Sequence, residues 1–351
     1  MKSLDDIFGQ DAAIRWLGAM MKSPRVHHAL LFAGPPGVGK ATTAAALAAI
    51  FLCEKSEGGV ACGACESCNA MHKESHPDYH VIYRQLIRLE KSEAAARDLA
   101  VDTIRRHLIE PAGLKSSRGR GKVFVVEEAD TMNLNSQNAL LKTLEEPPGR
   151  TLIILLTDSP DYLLPTIRSR SQLVQFGYLP IDRVRSELIK RGIDAKDAAD
   201  AAEMSEGSIG LALRWLEDGV VAAGRELLAS LDELPGSAMT LSGWFKQFAE
   251  AYVKTQQARE DAKKKRTNAD EGDEHEEKIS KDVTIREGLH IMLRLAAGRF
   301  RQQLASAGYE SEPARCEQIE ATFEAARYLD RNVNVALVME NLVMRWSRAF
   351  G

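Results

Sequence analysis

The chain has no hydrophobic run long enough to span a membrane and no recognisable signal peptide at its start. It also has no strong excess of either charge, because 46 lysine and arginine residues nearly balance 50 aspartate and glutamate residues. The first absence argues against a membrane protein, and the second against a protein that binds nucleic acid over its whole surface. We therefore expect a cytoplasmic protein with reduced thiols, whose DNA contacts are local or shared with partners.

Cysteine is scarce, with five in 351 residues, yet four of the five follow the spacing Cys-x8-Cys-x2-Cys-x2-Cys. A Cys-x2-Cys pair supplies two zinc ligands from one tight turn, and four protein thiolates leave no open coordination position. Disulfides are the alternative, which a reducing compartment disfavours. The fifth cysteine, Cys316, is expected to be a small buried residue. The spacing therefore predicts a structural zinc site within residues 53–68, with the ligands Cys53, Cys62, Cys65 and Cys68.

A glycine-rich loop precedes the cysteines, and its sequence Gly34-Pro-Pro-Gly-Val-Gly-Lys40 has the spacing of a phosphate loop. Backbone N–H groups of such a loop surround the phosphates, and the lysine reaches the terminal ones. The apolar run 29–33 predicts a strand before the loop, and the run 41–52 predicts a helix whose N-terminus faces the anion. A strand-to-helix turn without a nucleotide is the alternative. The predicted nucleotide-binding residues are Gly34, Gly37, Val38, Gly39, Lys40, Ala41, Thr42 and Glu127.

Two further apolar runs end in polar residues that suit nucleotide chemistry. Residues 123–126 predict a buried strand that ends in Glu127 and Glu128. Beside a phosphate loop, one such carboxylate holds magnesium through water and the next orients the attacking water. Residues 151–156 predict another strand, which delivers Thr157 to the same sheet edge, where this residue would sense a γ-phosphate. An acidic strand end in solvent and an unexceptional threonine are the alternatives.

The remaining pattern indicates an open α/β sheet followed by helices. At 351 residues the chain exceeds the usual size of one core, so two or three domains are expected. Beyond residue 180 the strand patterns stop. Apolar residues at helical spacing over 285–300 are expected to pack inside their own domain. The other predicted elements are a strand at 78–83, helices at 101–109 and 134–146, an exposed basic loop at 115–121, and a charged, solvated or flexible insertion at about 254–282.

Several motifs together resemble the clamp-loader ATPases of bacterial DNA polymerase III. They are the phosphate loop, the cysteine cluster, the string Asn-Ala-Leu-Leu-Lys-Thr-Leu-Glu-Glu-Pro-Pro at 138–148 and the string Leu-Pro-Thr-Ile-Arg-Ser-Arg at 164–170. The resemblance implies the α/β class, with an AAA+ P-loop NTPase core and a parallel sheet. It also implies three domains, namely the core at 1–178, a helical lid at 179–222 and an all-helical collar for oligomerisation at 223–351.

The resemblance further implies a place in a ring of ATPase subunits that opens the sliding clamp and places it on primed DNA. Its partners would be gamma/tau-type motor subunits and a delta-type, clamp-opening subunit. Within the family, Arg170 matches an arginine that points at ATP held by the neighbouring subunit, where its planar charge assists phosphoryl transfer. The residues that would take part in catalysis are Arg170, acting in trans, Glu128 and Thr157.

Three departures distinguish this chain from the motor subunits. Ala41 follows the loop lysine where the motors have serine or threonine for magnesium, and Glu127 replaces an aspartate. Gly210 occupies the lid position where the motors have a nucleotide-sensing arginine, which Arg214 would replace only in part. These changes favour a stationary subunit that binds ATP or ADP, with uncertain magnesium, and turns over little or none alone. The alternatives are a full ATP-hydrolysing gamma/tau-type motor and another AAA+ DNA-repair ATPase.

Overall fold

The computed structural model describes residues 3–23, 26–84, 86, 98–267, 275–306, 312–331 and 333–348. The chain divides into two compact units. The first unit comprises residues 1–180 together with 206–211, and the second comprises 181–205 together with 212–351. The three-domain division expected from the sequence stays a prediction.

A five-stranded parallel sheet forms the centre of the first unit. Its strand order is β2-β3-β4-β1-β5. All residues of the three central strands are buried, so these strands read as continuous apolar runs, as parallel strands covered on both faces do. Because the strands are parallel, their carboxyl ends meet at one edge of the sheet. The strands are β1 (Ala29–Ala33), β2 (Tyr79–Ile82), β3 (Lys122–Val126), β4 (Thr151–Thr157) and β5 (Gln172–Gln175).

Helices cover both faces of this sheet. On one face α1 and α2 pack against Leu30 and Phe32 of β1. On the other face, residues of α4, α5 and α6 pack against Leu31 of β1 and Phe124 of β3. The bounds are α1 (Asp11–Lys22), α2 (Lys40–Leu52), α3 (Glu66–His72), α5 (Leu134–Glu145) and α6 (Pro165–Arg170), with α4 formed by Val101–Ile104, a π-helical turn at Arg105–Ile109 and Glu110–Gly113.

Helix α4 runs further than the sequence pattern predicted, from Val101 to Gly113 in place of 101–109. Pro111 lacks a backbone N–H and normally breaks a helix. Here it enters near the start of the last helical piece, directly after the π-helical turn, where the hydrogen-bond pattern has already shifted. The buried amine of Lys122 then donates to the Ala112 carbonyl at 2.9 Å and so caps the end of α4.

The second unit contains helices joined by short turns, and its described residues form no strand. The apolar face predicted over 285–300 is buried at Leu289, Met292 and Phe300, which confirms that it packs inside its own unit. Trp346, fully buried, contacts Phe300 and Phe245. The helices are α7 (Ile181–Lys190), α8 (Ala195–Met204), α9 (Ile209–Glu217), α10 (Val220–Asp232), α11 (Ala238–Thr267), α12 (His275–Ser306), α13 (Glu312–Asp330) and α14 (Val335–Arg348).

The charged stretch at about 254–282 is helical where it is described. Helix α11 extends through it to Thr267, and α12 begins at His275. Residues 268–274, also part of this predicted insertion, lie outside the described residues. Within the described ranges, no helix combines the length and the apolar character needed to cross a membrane.

Candidate functional site

The glycine-rich loop joins β1 to α2, as the sequence predicted. Gly34 follows β1, and its N–H donates to the Thr157 carbonyl at 3.1 Å, which connects the loop to the end of β4. Gly39 precedes the first residue of α2 with φ of +103°, a conformation that side chains other than glycine rarely adopt. The loop therefore lies at the carboxyl edge of the sheet, with its backbone at the N-terminus of α2.

Lys40 is held inside its own loop. Its Nζ donates to the carbonyl oxygens of Gly34 and Pro35, the second at 2.7 Å. It also forms an ion pair with Asp158 Oδ1 at 2.6 Å, and its side chain is only 9% exposed. The three donor hydrogens of the ammonium group are thus all engaged by protein groups. A phosphate that reaches this amine has to take the place of the Asp158 carboxylate.

The start of α9 lies directly against the phosphate loop, in the segment 206–211 of the first unit. The Gly210 N–H donates to the Gly37 carbonyl at 2.9 Å, and the Ser208 hydroxyl donates to the Pro36 carbonyl at 2.9 Å. A Cβ at position 210 would lie 2.4 Å from the Gly37 oxygen. Gly210 therefore has no room for a side chain here, least of all for the arginine that the resemblance led us to expect at this position in a motor subunit.

The first turn of α2 carries no hydroxyl directed as a phosphate-loop serine or threonine would be. Ala41 and Thr42 are exposed, and Val38 in the loop is buried. Thr43 is buried, and its hydroxyl donates to the Gly39 carbonyl at 2.8 Å. This hydrogen bond occupies the only hydroxyl hydrogen that the buried face of the turn offers.

Glu127 and Glu128 follow β3, and the two residues make different contacts. The Glu127 N–H extends the ladder to the Ile82 carbonyl at 2.8 Å. Burial raises the pKa of Tyr79 to about 12, and the negative charge of Glu127 contributes. Glu128 adopts φ of +50°, and both of its carboxylate oxygens accept from Arg84, from Nε at 2.5 Å and from Nη2 at 2.9 Å. The carboxylate predicted to orient water is thus held by a guanidinium.

Thr157 lies at the end of β4, beside the start of the phosphate loop, and its side chain is engaged by neighbours. Its hydroxyl donates to Asp130 Oδ1 at 2.8 Å and accepts from the Ser159 N–H at 3.0 Å. The same Asp130 oxygen accepts from the Asp158 N–H at 3.4 Å. Asp130 therefore orders the turn after β4 and orients Thr157. A γ-phosphate would have to compete with this carboxylate for the hydroxyl.

The four clustered cysteines come together as the spacing predicted. Their Sγ atoms all lie within 4.8 Å of one another, and each cysteine is a free thiol. The Cys53–Cys65 and Cys62–Cys68 Sγ distances are both 3.9 Å. Metal–sulfur bonds of about 2.3 Å in a tetrahedron place the sulfurs about 3.8 Å apart. The cluster therefore fits a metal ion.

The surroundings of these sulfurs favour a thiolate at Cys62 and oppose one at Cys53 and Cys68. The N–H groups of Ala64 and Cys65 lower the pKa of the exposed Cys62 thiol to about 6. Burial raises the pKa of Cys53 and Cys68. A metal ion neutralises buried thiolates and removes this cost. Outside the cluster, Cys316 is exposed, so the expectation that it would be buried was wrong.

Arg170 is the last residue of α6 and is exposed. It lies in the connection between β4 and β5, whereas the chain's own phosphate loop joins β1 to α2. Its Nε donates to Glu145 Oε1 at 2.5 Å, and its Nη1 donates to the Thr166 carbonyl at 3.1 Å. The adjacent Arg168 pairs with Asp161 at 2.8 Å. Both arginines are therefore held on the surface by single carboxylates, which an incoming anion can replace.

Comparison with known proteins identifies the relatives of this chain. Residues 9–180 match the family described as DNA polymerase III, delta subunit. The delta-prime subunit of DNA polymerase III from Bacillus subtilis is 28% identical, and the match covers 95% of each chain. This chain is a relative of the DNA polymerase III delta-prime subunits.

Two further proteins are similar over a shorter stretch of this chain. The delta-prime subunit from Pseudomonas aeruginosa is 40% identical over 41% of each chain. The tau subunit of DNA polymerase III from Escherichia coli is 34% identical over 52% of this chain and 27% of its own length. The chain thus spans less than half the length of these two relatives, and the Bacillus delta-prime subunit is matched along almost its whole length.

Sequence reasoning missed Asp130, Asp158 and Arg84, which contact the predicted site residues. A signal for the two aspartates was present, since each lies within four residues of the end of a predicted strand at the nucleotide edge. Arg214, suggested as a substitute for the missing lid arginine, is instead paired with the buried Asp218 at 3.4 Å. The structure thus favours a salt-bridged role for Arg214 over a role in nucleotide sensing.

Proposed function

We propose that this chain is a delta-prime-type subunit of a clamp loader. It would complete a ring of ATPase subunits that loads the sliding clamp onto primed DNA during replication in the cytoplasm. Its direct partners would be gamma/tau-type and delta-type subunits, and the clamp and primed DNA would be reached through the complex.

One observation carries the choice of a stationary subunit over a motor. The groups that a motor uses on its own nucleotide are here bound to protein side chains, since Lys40 is paired with Asp158 and Glu128 with Arg84. Arg170, which would act on a neighbour's nucleotide, is exposed on the surface. A chain that keeps this arginine, while the groups of its own nucleotide site are paired with protein side chains, suits a subunit that supports hydrolysis in its neighbour.

Arg170 would act by exchanging one anion for another. In the free chain its guanidinium is paired with Glu145, a half-exposed carboxylate for which exposed pairing contributes at most about 1 kcal/mol. A phosphate of the neighbouring subunit carries more charge and offers two oxygens to the planar fork. The exchange would therefore be favourable.

The chain's own ligands would be a nucleotide and a structural zinc ion. Gly34, Gly37, Gly39 and Lys40 would hold the phosphates, once Asp158 releases the lysine. The zinc ion would be bound by the four thiolates of Cys53, Cys62, Cys65 and Cys68 and would fix the insertion without taking part in a reaction. Ala41 supplies no hydroxyl to magnesium, so turnover by the chain alone should be slow or absent.

A gamma/tau-type motor remains the second candidate, and one specific observation favours it. The glycine and lysine spacing of the phosphate loop is complete, and 52% of this chain matches the Escherichia coli tau subunit at 34% identity. The two candidates differ in turnover, because a motor hydrolyses ATP in its own site and a delta-prime-type subunit does not.

Nucleotide binding tests the site that both candidates share, and turnover then separates them. Lys40→Ala should abolish binding of a fluorescent ADP analogue, because the only side-chain cation of the loop is lost. Asp158→Asn should strengthen binding about two- to fivefold, since it removes a half-exposed competing carboxylate. Anisotropy titrations measure both effects, and Lys142→Ala, on the exposed side of α5, is the matched control.

Circular dichroism should find Lys40→Ala folded, because the lysine contacts only its own loop and Asp158. Unchanged ADP affinity in this variant would refute the nucleotide site. Rapid magnesium-dependent hydrolysis by the isolated chain would instead establish the motor candidate.

A further inference from the structure

The basic loop at residues 115–121 is built into the fold. The buried carboxylate of Asp78 accepts from the N–H groups of Ser117 and Arg118 at 2.7 and 3.0 Å. The Arg118 side chain donates to Glu66 Oε2 at 2.7 Å, which attaches the loop to α3, the helix that carries Cys68 and has Cys65 as its N-cap residue. The loop therefore presents its remaining side chains from a fixed backbone.

Arg120 in this loop and Arg150, directly before β4, lie side by side. The first residues of β3 and β4, Lys122 and Thr151, are paired in the sheet, which brings the preceding residues together. Arg150 Nη1 donates to the Arg120 carbonyl. Gly121 permits this approach, because a Cβ there would lie 2.3 Å from the Arg150 oxygen. The Arg150 guanidinium is fixed further by its position 4.1 Å over the Phe51 ring.

The charge of these two arginines is not compensated. Among the described residues, no carboxylate forms an ion pair with Arg120 or Arg150, whereas Arg118 in the same loop has Glu66. Arg120 Nε is buried without a hydrogen-bond partner. Arg150 is exposed, but partial desolvation lowers its pKa, and the charge of Arg120 lowers it further. Two like charges in such an arrangement cost free energy that a bound anion would recover.

We propose that Arg120 and Arg150 form a binding site for phosphate groups of a nucleic-acid backbone. The site lies where β3 and β4 begin, at the sheet edge opposite the phosphate loop. Two planar guanidinium groups match phosphate oxygens bidentately, and the exposed Lys115 in the same loop extends the basic surface. This extension favours a chain of phosphodiesters over a single free phosphate, because each added cation has a further phosphate to contact.

The test uses the full chain with Lys40→Ala, so that the phosphate loop does not bind the probe. Anisotropy of a fluorescein-labelled oligothymidylate of about 20 nucleotides is measured over a range of salt concentrations. Arg120→Gln/Arg150→Gln should weaken binding on the order of tenfold and lower the salt slope by about 1.4, the value for two lost phosphate contacts on a single strand. Arg120→Gln alone leaves the stack on Phe51 intact and should give about half of the slope change.

The matched control is Arg185→Gln/Arg191→Gln, which removes the same charge from two arginines that are each paired with a carboxylate of α7. This control should keep the original slope. The proposal is overturned if the two double variants behave alike, or if inorganic phosphate binding depends on the pair and oligothymidylate binding does not. It is equally overturned if the double variant weakens the binding of polyglutamate and leaves the binding of the oligonucleotide unchanged.

Discussion

Reduced protein is expected to carry about one zinc ion per chain, and Cys65→Ser should lower both the zinc content and the melting temperature. Structural zinc sites contribute about 10–16 kcal/mol of apparent binding free energy, and a serine hydroxyl replaces a thiolate ligand poorly. Loss of even a third of that energy corresponds to a fall of about 10 °C in a domain of this size. Elemental analysis and calorimetry measure the two effects.

Cys316→Ser is the matched control, because Cys316 is exposed and outside the cluster. It should retain the zinc and the melting temperature of the original chain. Reduced protein that contains no zinc, or disulfides among the clustered cysteines in freshly lysed cells, would contradict the assignment.

The effect of zinc loss should be largest in the insertion. Ser67 in α3 keeps two hydrogen bonds that do not depend on the metal, through its hydroxyl to His76 Nε2 at 3.1 Å and through its N–H to Glu54 Oε1 at 3.2 Å. Hydrogen exchange after chelation should therefore increase most at residues 53–66, and by a smaller factor in β1 and β4 as the whole unit loses stability. Exchange that rises equally across the sheet would indicate a metal that holds the whole unit together.

Arg170→Ala is expected to impair the assembled complex while leaving the chain itself intact. An arginine finger contributes roughly 10³ to 10⁵ in rate where a single site is measured. Only one of several sites would lose its finger, so total DNA-stimulated hydrolysis should fall in part, whereas clamp loading, which needs the sites together, should slow strongly. Stability should change by less than about 1 kcal/mol, because the Glu145 left behind is half exposed.

Arg168→Ala is the control for this variant, since it removes a surface arginine two residues away with a carboxylate partner of its own. It should load clamps normally. Arg170→Lys should rescue little, because an ammonium group cannot reproduce the planar fork. Normal clamp loading by a fully assembled Arg170→Ala complex would show that Arg170 is only a surface residue.

Local sequence patterns predicted the parts of the fold that depend on neighbouring residues. The strand at 29–33, the loop after it and the helix up to Leu52 follow from an apolar run, glycines at fixed spacing and an alanine-rich stretch. The cysteine cluster also follows from spacing, because its four ligands come from 16 consecutive positions, 53 to 68. In these cases the physical cause lies within one short segment.

The contacts that close the nucleotide site depend on tertiary structure and were not predicted. Asp158 is 118 residues from Lys40, and Arg84 is 44 residues from Glu128. Which carboxylate meets which cation is decided by the strand order β2-β3-β4-β1-β5, and no local pattern contains that order. The sequence alone identified Gly210 as a departure from the motor pattern. The reason that no side chain fits there, which is its contact with Gly37, is visible only in the structure.

The most direct test of the proposed function is co-purification of the tagged full chain with its partners from its own cells. The account predicts recovery of a gamma/tau-type subunit and a delta-type subunit in one complex that loads a clamp onto primed DNA. A chain that ends at about residue 225 should not enter this complex, since it lacks the predicted collar. Recovery of neither subunit with the full chain, or full incorporation of the shortened one, would contradict the account.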